Sequence, residues 1–230
     1  IKNPVSYGID AGDIRAKDVK TTTNGSTMTV KTRNGEFNLK VNLTGSFNVY
    51  NALAAAGVGQ ALGLDEKQII DGIGSLSNVE GRMTTIDEGQ DFSVIVDYAH
   101  TPGSFEKIFN EIRPVTKGRM IVVFGSAGRR DESKRPLQGN AAGRLCDIVV
   151  VTEEDDRDQD GEQIMNEIAE GAEKAGKIRN NDLFLIHDRM RAIAKAIEIA
   201  KPGDTVLLLG KGHETSILGN FGKRDWDEAG

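Results

Sequence analysis

Residues 119–136 read RMIVVFGSAGRRDESKRP. Arg119–Phe124 is a hydrophobic run of strand length, and it leads into Gly125-Ser126-Ala127-Gly128, where the backbone can approach a ligand closely. Arg129, Arg130, Lys134 and Arg135 follow, just ahead of a helical pattern. A helix start offers free N–H donors with a partial positive charge, and guanidinium forks match carboxylate or phosphate oxygens. Strand, glycine turn and helix in that order mark a unit of a parallel sheet, whose ligands lie beyond the carboxyl ends of the strands. The stretch therefore predicts a site for an anionic small molecule.

The same alternation extends in both directions. Strands are expected at Phe92–Asp97, Met120–Phe124, Ile148–Thr152, Leu183–Ile186 and Thr205–Leu209. Helices are expected between them, at Pro102–Val115, Lys134–Leu145, Gly161–Ala175 and Arg189–Ala200. Near-continuous apolar strands separated by amphipathic helices argue for an α/β fold, a Rossmann-like parallel sheet covered on both faces. Upstream the pattern differs. Short β-like runs at Val5–Ile9, Thr27–Thr32 and Glu36–Leu43 are separated by the turn signals Asn24-Gly25 and Asn34-Gly35. An alanine-rich helix, Ser46–Leu62, and a shorter one starting at the N-cap candidate Asp65 and running to Gly72 come next. The chain is expected to divide near residues 80–90, with a first part over 1–86 and the Rossmann-like domain over 87–230.

Composition narrows the function classes. The chain has 230 residues, 38% hydrophobic and 28% charged, and no run approaches the roughly 18–20 apolar residues of a membrane span. A net charge of −6 argues against nonspecific nucleic-acid binding, which needs a broad basic face. The single cysteine, Cys146, excludes an intrachain disulfide, fits a reducing compartment and reads as an inert buried thiol. The Ile-Lys-Asn-Pro start has neither an initiator Met nor a signal-peptide pattern, so a fragment of a longer chain is expected.

Four further segments carry candidate chemistry. In GSFNVYNAL, Asn48 and Asn51 stand three apart on one helical face, where amides can read a purine edge or serve as cap and buried structural amide. In VDYAHTP, Asp97 follows a strand and can hold ribose hydroxyls or cap a turn, while His100 can contact phosphate or orient a neighbour. TEEDDRD, from Thr152, follows another strand beside the arginine-rich loop. Glu154, Asp155 and Asp156 can hold an ammonium group and Arg157 a carboxylate, against the alternative of a solvated face. GKGHE, from Gly210, brings Lys211, His213 and Glu214 to a strand end, as ligand contacts or as a tight loop with solvated charges. His187 follows a strand without a distinct chemical signal.

GSFNVYNALAA, GRM, VDYAHTP, FGSAGRRDESKRP, TEEDDR and GKGHE, in that order over about residues 40–230, resemble the C-terminal half of the Mur ligases, within them the tripeptide-synthesising branch. The resemblance implies a monomeric cytoplasmic enzyme of three domains, using ATP and magnesium. Its reaction joins a free amino acid to UDP-N-acetylmuramoyl-L-alanyl-D-glutamate through an acyl phosphate during peptidoglycan synthesis. It implies that residues 1–86 end a central ATP-binding domain. It places Asn48, Asn51, Arg82, Asp97 and His100 at ATP, and Arg130, Glu154, Asp155, Asp156, Arg157, Gly210 and Glu214 at the amino acid. Lys134 and Arg135 match a basic pair in the same loop. Where the family has Asp-Asn-Pro-Arg this chain has Glu154-Asp155-Asp156-Arg157. Arg157 favours the distal carboxylate of meso-diaminopimelate, whereas the acid at Asp156 leans toward the ammonium of lysine. No phosphate loop of the form G-x-x-x-x-G-K-[ST] occurs, so the chain alone is expected to be inactive, with magnesium held mainly by upstream parts. Other members of the superfamily, and a non-catalytic Rossmann-like binding module, stand as alternatives.

Overall fold

The computed structural model describes residues 4–22, 25–33, 35–43 and 45–230. The chain forms two compact units that divide between Val79 and Glu80. In the first, strands β1 (Tyr7–Ile9), β2 (Ile14–Thr22), β3 (Gly25–Thr32) and β4 (Gly35–Val41) form one sheet in that order. β1 and β2 are parallel and the others antiparallel. Along β4, Phe37, Leu39 and Val41 are buried while Glu36, Asn38 and Lys40 are exposed, the period-two pattern of a sheet with one wet face. The buried face packs with Val49, Leu53 and Ala56 of α1 (Phe47–Ala61) and Ile69 of α2 (Glu66–Ser75). Asp65 caps α2 reciprocally with Gln68, as its position suggested. β2 was not expected from the sequence. The turns expected at Asn24-Gly25 and Asn34-Gly35 include Asn24 and Asn34, which lie outside the described residues.

The second unit holds the alternating pattern. Its elements are β5 (Thr84–Ile86), β6 (Ser93–Asp97), α3 (Pro102–Ile112), β7 (Met120–Phe124), α4 (Lys134–Leu145), β8 (Ile148–Val151), α5 (Gly161–Lys174), β9 (Leu183–Leu185), α6 (Arg189–Ile199) and β10 (Thr205–Leu209). A hairpin of β11 (Ser216–Gly219) and β12 (Gly222–Asp225) follows. Thr84–Ile86, expected in the first part of the chain, pairs antiparallel with β6 and so belongs to this sheet. Helix α3 stops at Ile112 and tightens into a 3-10 turn, Arg113–Val115, because Pro114 has no N–H to continue the ladder. Every residue of β7, β8 and β10 is buried, as expected for strands covered on both faces. Among the described residues no helix is long and apolar enough to cross a membrane.

Sheet order positions the site. The strands run β5-β6-β10-β7-β8-β9, and β6, β10, β7, β8 and β9 are mutually parallel. The last strand in sequence, β10, lies between β6 and β7. Four loops therefore stand side by side at the carboxyl edge: 98–101 after β6, 210–215 after β10, 125–133 after β7 and 152–160 after β8. This is where a parallel sheet with reversed strand order opens a crevice for ligand.

Candidate functional site

The arginine-rich loop is less free than its sequence suggests. Arg129 pairs with Asp158. Arg135 is buried and held by Glu167 at 2.7 Å and by Gln159 at 2.7 Å, so it braces the loop rather than facing a ligand. Lys134 Nζ donates to the carbonyl of His100 at 3.1 Å, joined there by Gln138 Nε2 at 3.1 Å. Arg130 alone of the four is exposed with no ion pair, a guanidinium free to bind an anion.

The acidic run resolves into unlike environments. Asp155 Oδ1 accepts from Lys211 Nζ at 2.9 Å and from the backbone N–H of Leu218 at 3.0 Å. Asp156 Oδ2 lies 2.6 Å from His187 Nε2, giving His187 a partner that its sequence context did not announce. Burial raises the Asp156 carboxyl above its usual range, and His187 opposes that rise. Glu154 has no such partner, although Asp156 Oδ1 is likewise buried without one. It is 7% exposed, and its Oε2 is buried with no hydrogen-bond partner. Burial pushes its carboxyl up against the attraction of Lys134, Arg189, Lys211 and His100. A buried carboxylate oxygen without a donor marks a place where a cationic ligand group compensates the missing partner. Arg157 has a left-handed backbone, with φ of 59°, and its Nη1 donates to the carbonyl of Gly128 at 2.6 Å. That bond holds the half-buried guanidinium against the glycine turn that leads to Arg130.

The loop after β10 closes the crevice between these groups and β6. Gly210 has φ of 104°, and a Cβ there would lie 3.0 Å from Glu154 Oε2, so glycine permits the approach. Lys211, expected at the ligand edge, is instead fully buried and bridges Asp155 and Glu214, the latter at 2.7 Å. Glu214 Oε1 lies 3.4 Å from the hydroxyl of Tyr98. The ring of Tyr98 stands 4.9 Å from that of His100 and 5.2 Å from that of His213, and the Arg82 guanidinium lies 5.1 Å above it. One exposed cation on a cluster of rings is a surface for a flat, anionic ligand. Tyr98 was missed on sequence, although it sits between the two residues singled out in VDYAH.

Asp97 takes a structural role. Oδ1 accepts from Ala99 N at 2.8 Å and Oδ2 from Met83 N at 2.9 Å. The carboxylate thus ties the Arg82 segment to the loop after β6, and each oxygen retains a second acceptor direction. The helix cap is supplied by Thr101, paired reciprocally with Ser104. Burial raises the Asp97 carboxyl, and the two N–H groups and Arg82 act against it. In the first unit, Asn51 Nδ2 donates to Asn48 Oδ1 at 2.9 Å. Asn48 is buried and Asn51 is exposed.

Glu153, Asp156 and His187 bring one possible metal-ligand atom each within 4.8 Å. Glu153 Oε1 already accepts from Arg189 N at 3.1 Å and from Arg224 Nη2 at 2.5 Å, and Asp156 is engaged by His187. A group containing an imidazole and neutralised by arginines does not fit magnesium, which takes oxygen ligands and keeps several waters.

Comparison with known proteins gives consistent results. Residues 81–212 match the family described as Mur ligase, glutamate ligase domain, and residues 1–59 match the Mur ligase middle domain. The chain is 50% identical to a UDP-N-acetylmuramyl-tripeptide synthetase of Roseiflexus sp., over 98% of this chain and 44% of that protein. It is 40% identical to a UDP-N-acetylmuramoyl-L-alanyl-D-glutamate–2,6-diaminopimelate ligase of Geobacillus kaustophilus, over 94% of this chain and 44% of that one. A solved 2,6-diaminopimelate ligase structure superposes with a TM-score of 0.62 at 31% identity, over 97% of this chain and 45% of the other. The chain therefore spans a little under half the length of these relatives.

Proposed function

The chain belongs to the Mur ligase family, and from that premise we propose that it forms the second part of an ATP-dependent amide ligase. The parent enzyme adds the third amino acid, meso-diaminopimelate, to UDP-N-acetylmuramoyl-L-alanyl-D-glutamate in peptidoglycan synthesis. The first unit is read as the end of the central ATP-binding domain and the second as the domain that holds the incoming amino acid.

One observation supports the choice of amino acid: the pattern of paired and unpaired charges at the carboxyl edge. Asp155 is paired inside the protein with Lys211, and Asp156, the acid that leaned toward lysine, is hydrogen-bonded through Oδ2 to His187. What remains for a ligand is two buried, unpaired carboxylate oxygens, Glu154 Oε2 and Asp156 Oδ1, together with the free guanidinium of Arg130 and Arg157, bonded only through Nη1 to a carbonyl. A substrate with both ammonium and carboxylate groups at its far end matches that set. Lysine, whose far end is an ammonium alone, leaves a guanidinium without a partner.

The residues then act by positioning. Glu154 holds an ammonium, Arg130 and Arg157 hold carboxylates, and Gly210 lets the β10 loop close against Glu154. With its far end fixed, the substrate presents its other amine in one orientation, which removes much of the entropic barrier to attack. In the second unit Arg82, Tyr98, His100 and His213 are read as a nucleotide-facing surface, with Asp97 toward the ribose; in the first unit, taken by itself, Asn48 and Asn51 are read as adenine contacts. ATP, when bound, supplies the phosphoryl group that activates the acceptor carboxylate as an acyl phosphate. Among the described residues, the Glu153–Asp156–His187 group does not fit magnesium.

The test uses the full-length parent enzyme with ATP, magnesium, UDP-N-acetylmuramoyl-L-alanyl-D-glutamate and meso-diaminopimelate. Formation of the tripeptide product with stoichiometric phosphate release is expected. No product with any amino acid, from an enzyme that binds ATP, would overturn the reading.

A further inference from the structure

Below the residues that face the ligand, one buried cation joins the strand ends that carry them. Arg189 is the first residue of α6 and is fully buried. Its Nη1 donates to the carbonyl of Glu153 at 3.1 Å, and its Nη2 to the carbonyl of Leu209 at 2.9 Å. Those carbonyls immediately precede Glu154 and Gly210, the pair in close approach at the crevice. The rest of the guanidinium is held by Glu228, through Nε to Oε2 at 2.9 Å and Nη2 to Oε1. Glu228 is itself buried, and its Oε2 accepts from Trp226 Nε1 at 2.6 Å. The segment 226–229 also forms one wall of a cavity of about 110 Å3 whose other wall includes the loop 212–215. A segment more than ten residues beyond the last strand of the main sheet is thus built into the floor of the site.

We propose that Arg189 and Glu228 are positioning residues for the amino-acid site: Glu228 holds Arg189 on the carbonyls of Glu153 and Leu209, which keeps the Glu154 carboxylate set against Gly210 and open to the substrate ammonium. The inference rests on the reading of Glu154 given above. Its physical basis is that a buried guanidinium deprived of its carboxylate must find another. The acids that attract Arg189 are Glu228, Glu154 and Glu153. Glu153 Oε1 is already engaged by Arg189 N and Arg224, and Lys211 is occupied by Asp155 and Glu214. Glu154 Oε2 is unpaired. Without Glu228, Arg189 turns to Glu154 and fills the place of the substrate ammonium.

The experiment compares wild type, Glu228→Gln, Trp226→Phe and Arg189→Lys in the full-length parent enzyme, well below each variant's melting temperature. KM is measured for the amino acid and for ATP, with kcat. Glu228→Gln is expected to raise the amino-acid KM about tenfold or more, the scale on which small displacements of a binding group register. Its ATP KM should stay within about twofold of wild type, since uniform damage to the fold would move both. Trp226→Phe is expected to act in the same direction and less. Arg189→Lys, which keeps the charge but loses the fork spanning both carbonyls, should resemble Glu228→Gln. An unchanged amino-acid KM in Glu228→Gln, or parallel changes in both KM values, would overturn the inference. Failure of wild type itself to ligate any amino acid would instead reject the reading on which it rests.

Discussion

Replacing Glu154 with Gln is predicted to make the protein more stable and less active at once. Glu154 is 7% exposed, with an unpaired buried Oε2, and burial dominates its environment strongly enough to hold its carboxyl above the usual range. Leaving a buried polar atom unpaired costs about 1–3 kcal/mol, and more when the group is charged. Attraction from Lys134, Arg189, Lys211 and His100 offsets part of that cost, and the raised carboxyl shows that it does not offset all of it. A net gain of about 1 kcal/mol is expected for the neutral side chain, or about 2–4 °C in melting temperature for a unit of this size. The gain should be largest near neutral pH. A carboxyl with a raised pKa takes up its proton earlier on acidification than it does in the unfolded chain. Wild type therefore recovers stability relative to Gln as pH falls through that raised value, and the difference closes. The ligand side has the opposite sign. Removing one partner of a desolvated charge pair weakens binding by about 2–5 kcal/mol, a factor of roughly 30 to several thousand in kcat/KM for the amino acid. Thermal melts of the 230-residue chain across pH, with amino-acid kinetics of the parent enzyme, check both halves. A Gln variant that is less stable at neutral pH, or that uses the amino acid as well as wild type, would refute the argument that this oxygen awaits a ligand cation.

Other expectations follow from the same geometry. Gly139→Ala in α4 places a Cβ 1.8 Å from the carbonyl oxygen of Ile168 in α5, so the helices must separate and the unit should lose about 3 kcal/mol or more. Gly103→Ala, at a helical position with open space around it, should gain up to about 1 kcal/mol; chemical denaturation measures both. At Asp204, burial pushes the carboxyl up, but the side chain and backbone N–H of Arg119 and the N–H of Lys201 outweigh it and hold it below the usual range. The stability this contributes is fully present above the ordinary Asp pKa and lost as pH falls through the lower folded value. Asp204→Asn should therefore be most destabilising near pH 7 and approach wild type only in strong acid, as followed by melting curves. The 230-residue chain has no phosphate loop, so it should show no magnesium-dependent ATP hydrolysis above buffer in a phosphate-release assay.

Much of the fold was legible because burial on both faces of a parallel sheet writes continuous apolar runs. MIVVF, IVVV and TVLLL needed no further signal. Strand β2 escaped because its alternation is interrupted. Its pairing with β3 shifts between Lys17 and Lys20 around Asp18, which has φ of 53°, so the charged residues there read as a loop. The hairpin of β11 and β12 has four residues in each strand, too few to show a period. At the site, the strand-end position of each motif could be read directly. Their assembly could not, since it depends on β10 inserting between β6 and β7, a long-range pairing with no local trace. Charges were the least legible feature. Lys211 and Arg135 look like ligand contacts in a linear sequence, and only the fold shows that acids from distant segments occupy them.

The most direct test of the proposed site is the ratio of kcat/KM for meso-diaminopimelate over lysine, measured in the full-length enzyme for wild type and Arg157→Ala. The available arginines predict a strong preference for meso-diaminopimelate in wild type. They also predict its collapse in Arg157→Ala, through loss of meso-diaminopimelate use with little change for lysine. A wild-type preference for lysine, or equal losses for both substrates in the variant, would contradict the assignment of this crevice to a carboxylate-bearing diamino acid.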